Sequence, residues 1–203
     1  NLAKDPAEAY ARSVSAHLPE EVLGVMQRDL HAEIGDPHAP VLQAYRASNA
    51  ADSLHRAVAA DLETWLAGDI LVKTDRASMA VSLEVRAPFL DHHLLEAAAT
   101  IPPAWHVAGG KTKAFLREAL ATRLTPSSLD RKKMGFSVPL RSWCEGPVGD
   151  AVEDALAERR LGEWIETDQI RTLLKRHRQG VGDHAEMLWA VLVLARFLDR
   201  WGP

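Results

Sequence analysis

Lys73-Thr74-Asp75-Arg76-Ala77-Ser78-Met79-Ala80-Val81-Ser82-Leu83-Glu84-Val85-Arg86-Ala87-Pro88-Phe89-Leu90-Asp91 sets charges among side chains that want burial. Lys73, Asp75, Arg76, Glu84, Arg86 and Asp91 alternate with Met79, Val81, Leu83, Val85, Phe89 and Leu90. A buried charge is costly unless it is paired. The segment therefore builds an internal ion-pair network or lines a polar site.

Upstream and downstream of it the signals are helical. Asp5-Pro6-Ala7-Glu8 offers an N-cap, a proline at the first helical position and a glutamate three residues after the cap, predicting a helix to about His17. Val22, Met26, Leu30 and Ile34 recur at four-residue steps from Pro19, with Gly35 as a stop. Further helices are expected over 41–49, from Ser53 to Leu66 with Gly68 ending it, and from Ile70 to about Val81 with Asp69 as cap. Asp91 caps a helix running to Thr100, which Ile101-Pro102-Pro103 stops. Residues 112–124, 150–161, 168–178 and 184–200 complete the set. Asp183-His184-Ala185-Glu186 has a capping-box pattern before the last helix. Met187, Leu188, Trp189, Val191, Leu192, Val193, Leu194, Phe197 and Leu198 then cover most of its circumference, so it belongs in a core or against another domain. Alternating runs are short, and no parallel sheet is expected.

Composition sets outer bounds. The 203 residues are 47 % hydrophobic and 26 % charged, as in an ordinary globular protein, with a net charge of −4. That balance gives no reason to expect nucleic acid or an anionic membrane as partner. One cysteine, Cys144, excludes an intramolecular disulfide and reads as a half-buried structural thiol. The start lacks the apolar core of a signal peptide, and the longest apolar run, Met187 to Ala195, is too short to span a bilayer. A cytoplasmic setting is expected. The opening at Asn1 rather than Met fits a fragment or a processed product alike.

His92 and His93 are adjacent and fall on different faces of a helix, so no metal site is expected there. The Lys175-Arg176-His177-Arg178 cluster ends a helix, where cations complement the dipole. Asp130-Arg131-Lys132-Lys133-Met134-Gly135-Phe136-Ser137-Val138-Pro139-Leu140 is different: a cation run leads into a glycine between apolar anchors. A lysine held there can face a phosphate or a developing oxyanion.

Asp69 to Ala80 followed by Leu83 to Asp91 resembles the signature of glutamine-hydrolysing asparagine synthetases, DILVKVDRxSMAxxLExRxPFLD. Asp130 to Leu140 is similar to the family's RPKMGFxVPL stretch, with Lys132 where proline is usual. Ser142-Trp143, Gly146-Pro147 and the closing Leu188-Trp189-Ala190-Val191-Leu192 continue the likeness. It runs from about Ala59 to Trp201; residues 1–58 form a helical segment that matches only loosely, dividing the chain into 1–58 and 59–203. The family's SGGxDS pyrophosphate loop, its SGEGADE-like acidic segment and an N-terminal nucleophilic cysteine are not in this sequence. The resemblance thus implies a mainly α fold: the C-terminal helical portion of the ATP-pyrophosphatase (adenine nucleotide alpha hydrolase-like) domain, lacking its parallel sheet.

For chemistry, the resemblance implies an enzyme that adenylates the aspartate β-carboxylate with ATP and Mg²⁺ and amidates it with ammonia from a glutaminase domain. Lys133 matches the lysine that stabilises charge on phosphate and tetrahedral intermediate, and Arg76 a cation suited to pyrophosphate. Glu84 falls where an active-site hydrogen bond can be accepted, and Arg86 where it can hold Glu84 or a phosphate. An Arg76 ion pair with Asp75 or Asp91, and a Glu84–Arg86 pair shaping the loop, remain alternatives. The chain alone is expected to bind no cofactor, to be inactive without the glutaminase and nucleotide-binding portions, and to self-associate. Competing readings are a fragment of a β-lactam synthetase-like or peptide-cyclising amide ligase, and a non-catalytic helical interaction module.

Overall fold

In a computed structural model that describes residues 5–130 and 138–202, the first helix starts as the sequence predicts. The Asp5 carboxylate accepts a hydrogen bond from the Ala7 N–H at 3.0 Å, and helix Pro6–Val14 follows. Most of the described residues are helical. The one sheet among them is an antiparallel pair, Val107–Ala108 with Lys111–Thr112, turned by Gly109 and Gly110 at positive φ. These residues were expected to be loop and the start of a helix; the helix instead begins at Ala114.

The described residues form two compact units, 5–13 with 39–130 and 14–38 with 138–202. In the first, helices Ala39–Ala47 and Ser53–Asp61 pack with Pro6–Val14 around Ala7, Ala44, Tyr45 and Ala60. The Tyr10 hydroxyl donates to Asp61, and its pKa is raised, by burial first and then by that carboxylate. Asp52 caps Ser53–Asp61 by accepting from the His55 N–H at 3.0 Å. Gly68 does not end the next helix. A π-helical stretch, Leu62–Ile70, runs without a break into helix Leu71–Met79, so Asp69 sits inside the helix rather than capping it. The whole of 61–130 contributes no fully buried residue.

The second unit has the larger core, built from Val152, Leu161, Ile165, Ile170, Leu188 and their neighbours. Here one expectation fails. The helix begun at Pro19 stops at Val25, and the chain resumes only as a 3₁₀ turn, Arg28–Leu30, and a short helix, His31–Ile34. Residues 25–27 pair instead with the end of helix Arg159–Gly162 and the residues after it. Gln27 N–H donates to the Trp164 carbonyl at 3.0 Å, Glu166 N–H to the Val25 carbonyl at 2.8 Å, and Met26 bridges Ile165. The Gln27 amide adds bonds to the Gly162 and Ile165 carbonyls at 2.9 and 3.1 Å. Four-residue periodicity cannot reveal a partner so distant in sequence.

Helices Leu140–Glu145, Pro147–Ala155, Thr167–Arg178 and Ala185–Trp201 complete this unit. The first two approach closely at Gly149, where an added Cβ would lie 2.2 Å from the Cys144 carbonyl oxygen. Cys144 is fully rather than half buried; its thiol lies 3.7 Å from the Ala185 carbonyl, and burial followed by the nearby Asp183 raises its pKa. The closing helix buries Leu188, Val191, Leu192, Ala195 and Leu198, while Trp189, Val193, Phe197 and Trp201 form an exposed stripe. Its start differs in detail from a capping box, because Asp183 accepts from the Ala185 N–H at 3.1 Å. No described helix is long and apolar enough to cross a membrane.

Candidate functional site

The charged segment is a helix, a reversal, a loop and a second helix. Helix Leu71–Met79 ends in paired reverse bonds: Leu83 N–H to the Ser78 carbonyl at 2.9 Å and Ser82 N–H to the Met79 carbonyl at 3.0 Å. This closure needs a left-handed residue, usually glycine, and Ser82 supplies it at φ 58°. The loop then carries Glu84 and Arg86 to a 3₁₀ turn, Pro88–Leu90. Asp91 accepts from the N–H groups of His93 and Leu94 at 3.0 and 3.2 Å and starts helix His92–Ala99, as its sequence position predicts.

Among the described residues the segment forms no internal ion-pair network. Glu84 and Arg86 pair with each other, Nε to Oε1 at 2.9 Å and a terminal nitrogen to the same oxygen at 2.8 Å, with both side chains well exposed. An exposed pair of this kind contributes about 0–1 kcal/mol, so it shapes the loop more than it stabilises the fold. Lys73 lies 3.9 Å from Asp69. Arg76 is exposed and makes no ion pair with Asp75 or Asp91 among the described residues. Val81, Leu83, Val85 and Phe89 are exposed as well, Val81 at 73 %. The segment presents one charged and apolar surface.

Lys132 and Lys133, with Met134 to Ser137, lie outside the described residues. Asp130 at the near end of their stretch is within 4.0 Å of Lys111 and 3.9 Å of Arg117, whose guanidinium also donates to the Leu129 carbonyl. At the far end, Val138 to Arg141 line an open cleft of about 730 Å³ with His17, Glu21, Asp183 and His184.

Behind that cleft stands a residue whose role the sequence did not disclose. His177 is 1 % exposed. Its Nδ1 accepts from the His184 N–H at 3.1 Å, which places the ring proton on Nε2, the donor to the Arg141 carbonyl at 2.9 Å. Arg178 beside it reaches Asp150 at 2.5 Å and Glu153 at 2.9 Å. The cation cluster 175–178 therefore does more than complement a helix end: two of its members tie helices together. Its composition hid this, because only the periodicity of Ile170, Leu174 and His177 marks the buried face.

Comparison with known proteins adds the family. The family model for asparagine synthase matches residues 2–201. Asparagine synthetase [glutamine-hydrolyzing] 1 of Bacillus subtilis (strain 168) is 37 % identical over 133 residues, covering 66 % of this chain and 21 % of that protein. A putative asparagine synthetase [glutamine-hydrolyzing] of Mycobacterium tuberculosis (strain ATCC 25618 / H37Rv) is 37 % identical over 187 residues, 90 % of this chain and 28 % of its own length. Amidase chry2 of Gibberella zeae is 27 % identical over 93 residues, 43 % of this chain and 14 % of that protein. No solved structure matches. The chain belongs to the asparagine synthase family. The match takes in residues 2–58 as well as the signature, and the chain spans about a quarter of the length of the synthetases it resembles.

Proposed function

We propose that this chain is a piece of an ATP-dependent, glutamine-hydrolysing asparagine synthetase, working in the cytoplasm as the helical end of the synthetase domain. The observation that carries the reading is the match across residues 2–201, joined to two relatives of that name at 37 % identity. ATP supplies the activation that lets ammonia displace a leaving group from the aspartate side-chain carboxyl, with Mg²⁺ sharing the phosphate charge. Arg76 suits phosphate oxygens, because its guanidinium is exposed and unpaired with its two acidic neighbours. Glu84 and Arg86 hold each other, so either must part from its partner before it meets a substrate. We assign no residue of this chain to Mg²⁺.

Lys133 is the residue we place at the developing negative charge. Its test is the complete synthetase containing this segment. Lys133→Ala should cut asparagine formation roughly 100- to 1000-fold, the loss typical of one preorganised electrostatic partner, while glutaminase activity persists. Lys132→Ala, at a position where the signature carries proline, should be mild. Equal behaviour of the two variants would return the run to a solvated face. The isolated chain, whose sequence has no SGGxDS loop, should show no aspartate-dependent ATP–pyrophosphate exchange. It should also self-associate through its exposed apolar residues, which light scattering would detect as a mass above the monomer's.

A further inference from the structure

Trp105, Phe115 and Glu118 meet at one hollow and have no place in the chemistry above. Trp105 comes from helix Pro103–His106, and Phe115 and Glu118 stand on one face of helix Ala114–Leu120. The three line a hollow of about 620 Å³, inside the unit that holds residues 39–130. Every other residue of its lining is an alanine, so no bulky side chain fills it. The two rings lean on each other, centroids 5.9 Å apart and planes at 32°. Both stay open to solvent, Trp105 at 56 % and Phe115 at 39 %, so their outer faces are free to receive a ligand.

The charge at the hollow indicates which ligand. Glu118 is exposed and makes no ion pair among the described residues. Lys111 and Arg117, which share a neighbouring hollow with Glu118, face Asp130 instead. Arg117 also donates to the Thr112 carbonyl at 3.1 Å and to the Leu129 carbonyl. An aromatic face attracts a cation through its ring quadrupole, and a carboxylate attracts it through its charge. A guanidinium uses both at once: it lies flat on a ring and pairs two N–H groups with a carboxylate. An ammonium has no flat face to stack, and an uncharged aromatic ligand would leave Glu118 idle.

We propose that this hollow takes an arginine side chain presented by a basic peptide segment of a partner protein, its guanidinium stacked on Trp105 and paired with Glu118. The hollow is open on one side and larger than one side chain, which leaves room for the peptide flanking the arginine. The site needs neither ATP nor Mg²⁺, so its failure would leave the synthetase reading intact.

The test is titration of the fluorotryptophan-labelled chain with an acetylated Gly-Arg-Gly amide, read in fluorine spectra, with Trp105→Phe assigning the Trp105 resonance. That resonance should move on binding, while that of Trp189, exposed on the closing helix, should stay. The same peptide with citrulline for arginine keeps the shape and loses the charge, and should bind several-fold more weakly. A lysine peptide and free arginine should bind more weakly too. Glu118→Gln should weaken binding by about two- to fivefold, the loss of one exposed ion pair. Trp189→Phe should leave it unchanged. The complete synthetase should show the same Trp105 shift. The citrulline comparison needs no variant and decides the matter if one fails to fold. Equal binding of the citrulline or lysine peptide, binding of free arginine as tight as the peptide's, full affinity in Glu118→Gln, or a hollow already covered in the complete synthetase would each overturn the site.

Discussion

His177→Phe isolates the buried histidine that joins the helix Leu140–Glu145 to the closing helix. Phenylalanine keeps most of the ring's volume and removes both polar atoms. The His184 N–H loses its acceptor at 3.1 Å, and the Arg141 carbonyl loses a donor at 2.9 Å. A buried donor left unsatisfied costs about 1–3 kcal/mol, and the second bond about 1 kcal/mol, so the unit should lose roughly 2–4 kcal/mol. The closing helix is the place to read this, because it contributes much of that unit's core. Its slowest amides, around Leu188 to Leu198, should exchange with deuterium roughly 30- to 1000-fold faster, at a factor of ten per 1.4 kcal/mol. His177→Asn, whose side-chain oxygen can still face the His184 N–H, should recover part of the loss. Exchange in His177→Phe within threefold of the unaltered chain would refute the reasoning and reduce His177 to a filler of space.

Gly149→Ala should destabilise the same unit by about 1–3 kcal/mol, seen as a lower urea midpoint, because the new methyl would sit 2.2 Å from the Cys144 carbonyl oxygen. Leu188→Ala, at a fully buried position, should cost about 2–5 kcal/mol by the same measurement. Ser82→Gly should do the opposite: left-handed geometry costs a non-glycine residue about 1–2 kcal/mol and glycine's extra chain entropy returns about 0.5–1, so exchange at the Leu83 amide should slow. The Asp52 carboxyl is held below its ordinary value by the His55 side chain and then the His55 N–H. Stability from that contact is fully present above the unfolded value of about 3.9 and is lost as pH falls through the lower folded value. Amide exchange at the start of helix Ser53–Asp61 should therefore rise in acid, a response that Asp52→Asn should lack.

Local chemistry was readable wherever a side chain acts within one turn of itself. Asp5 and Asp91 cap the helices their positions indicate, and Gly35 ends its helix at φ 68°. Long-range partners were not. Met26 leaves its helix to bridge Ile165, and His177, placed in a run of cations, turns inward. Gly68 failed as a stop because the helix passes through it in π-helical form between strongly helical neighbours. Of the site, the sequence order indicated that Glu84 and Arg86 could meet, and they do. The charged segment's exposure could not be foreseen, since alternating Val81, Leu83 and Val85 read as residues seeking a core. Lys133 lies outside the described residues, so its assignment rests on resemblance.

The pairing of residues 25–27 with 162–166 also sets an order of events during synthesis. Gln27 meets Gly162 across 135 positions. At about 5–20 residues per second, a ribosome needs on the order of 10 s to deliver the partner after Gln27 has been made. Through that interval the first helix pair of residues 14–38 has no core to join, while residues 39–61 can already collapse around Ala44 and Tyr45. The unit that takes up residues 14–38 is therefore the last to be completed although that part of it is made early, and the nascent Val25–Gln27 edge is open to chaperones for the whole wait.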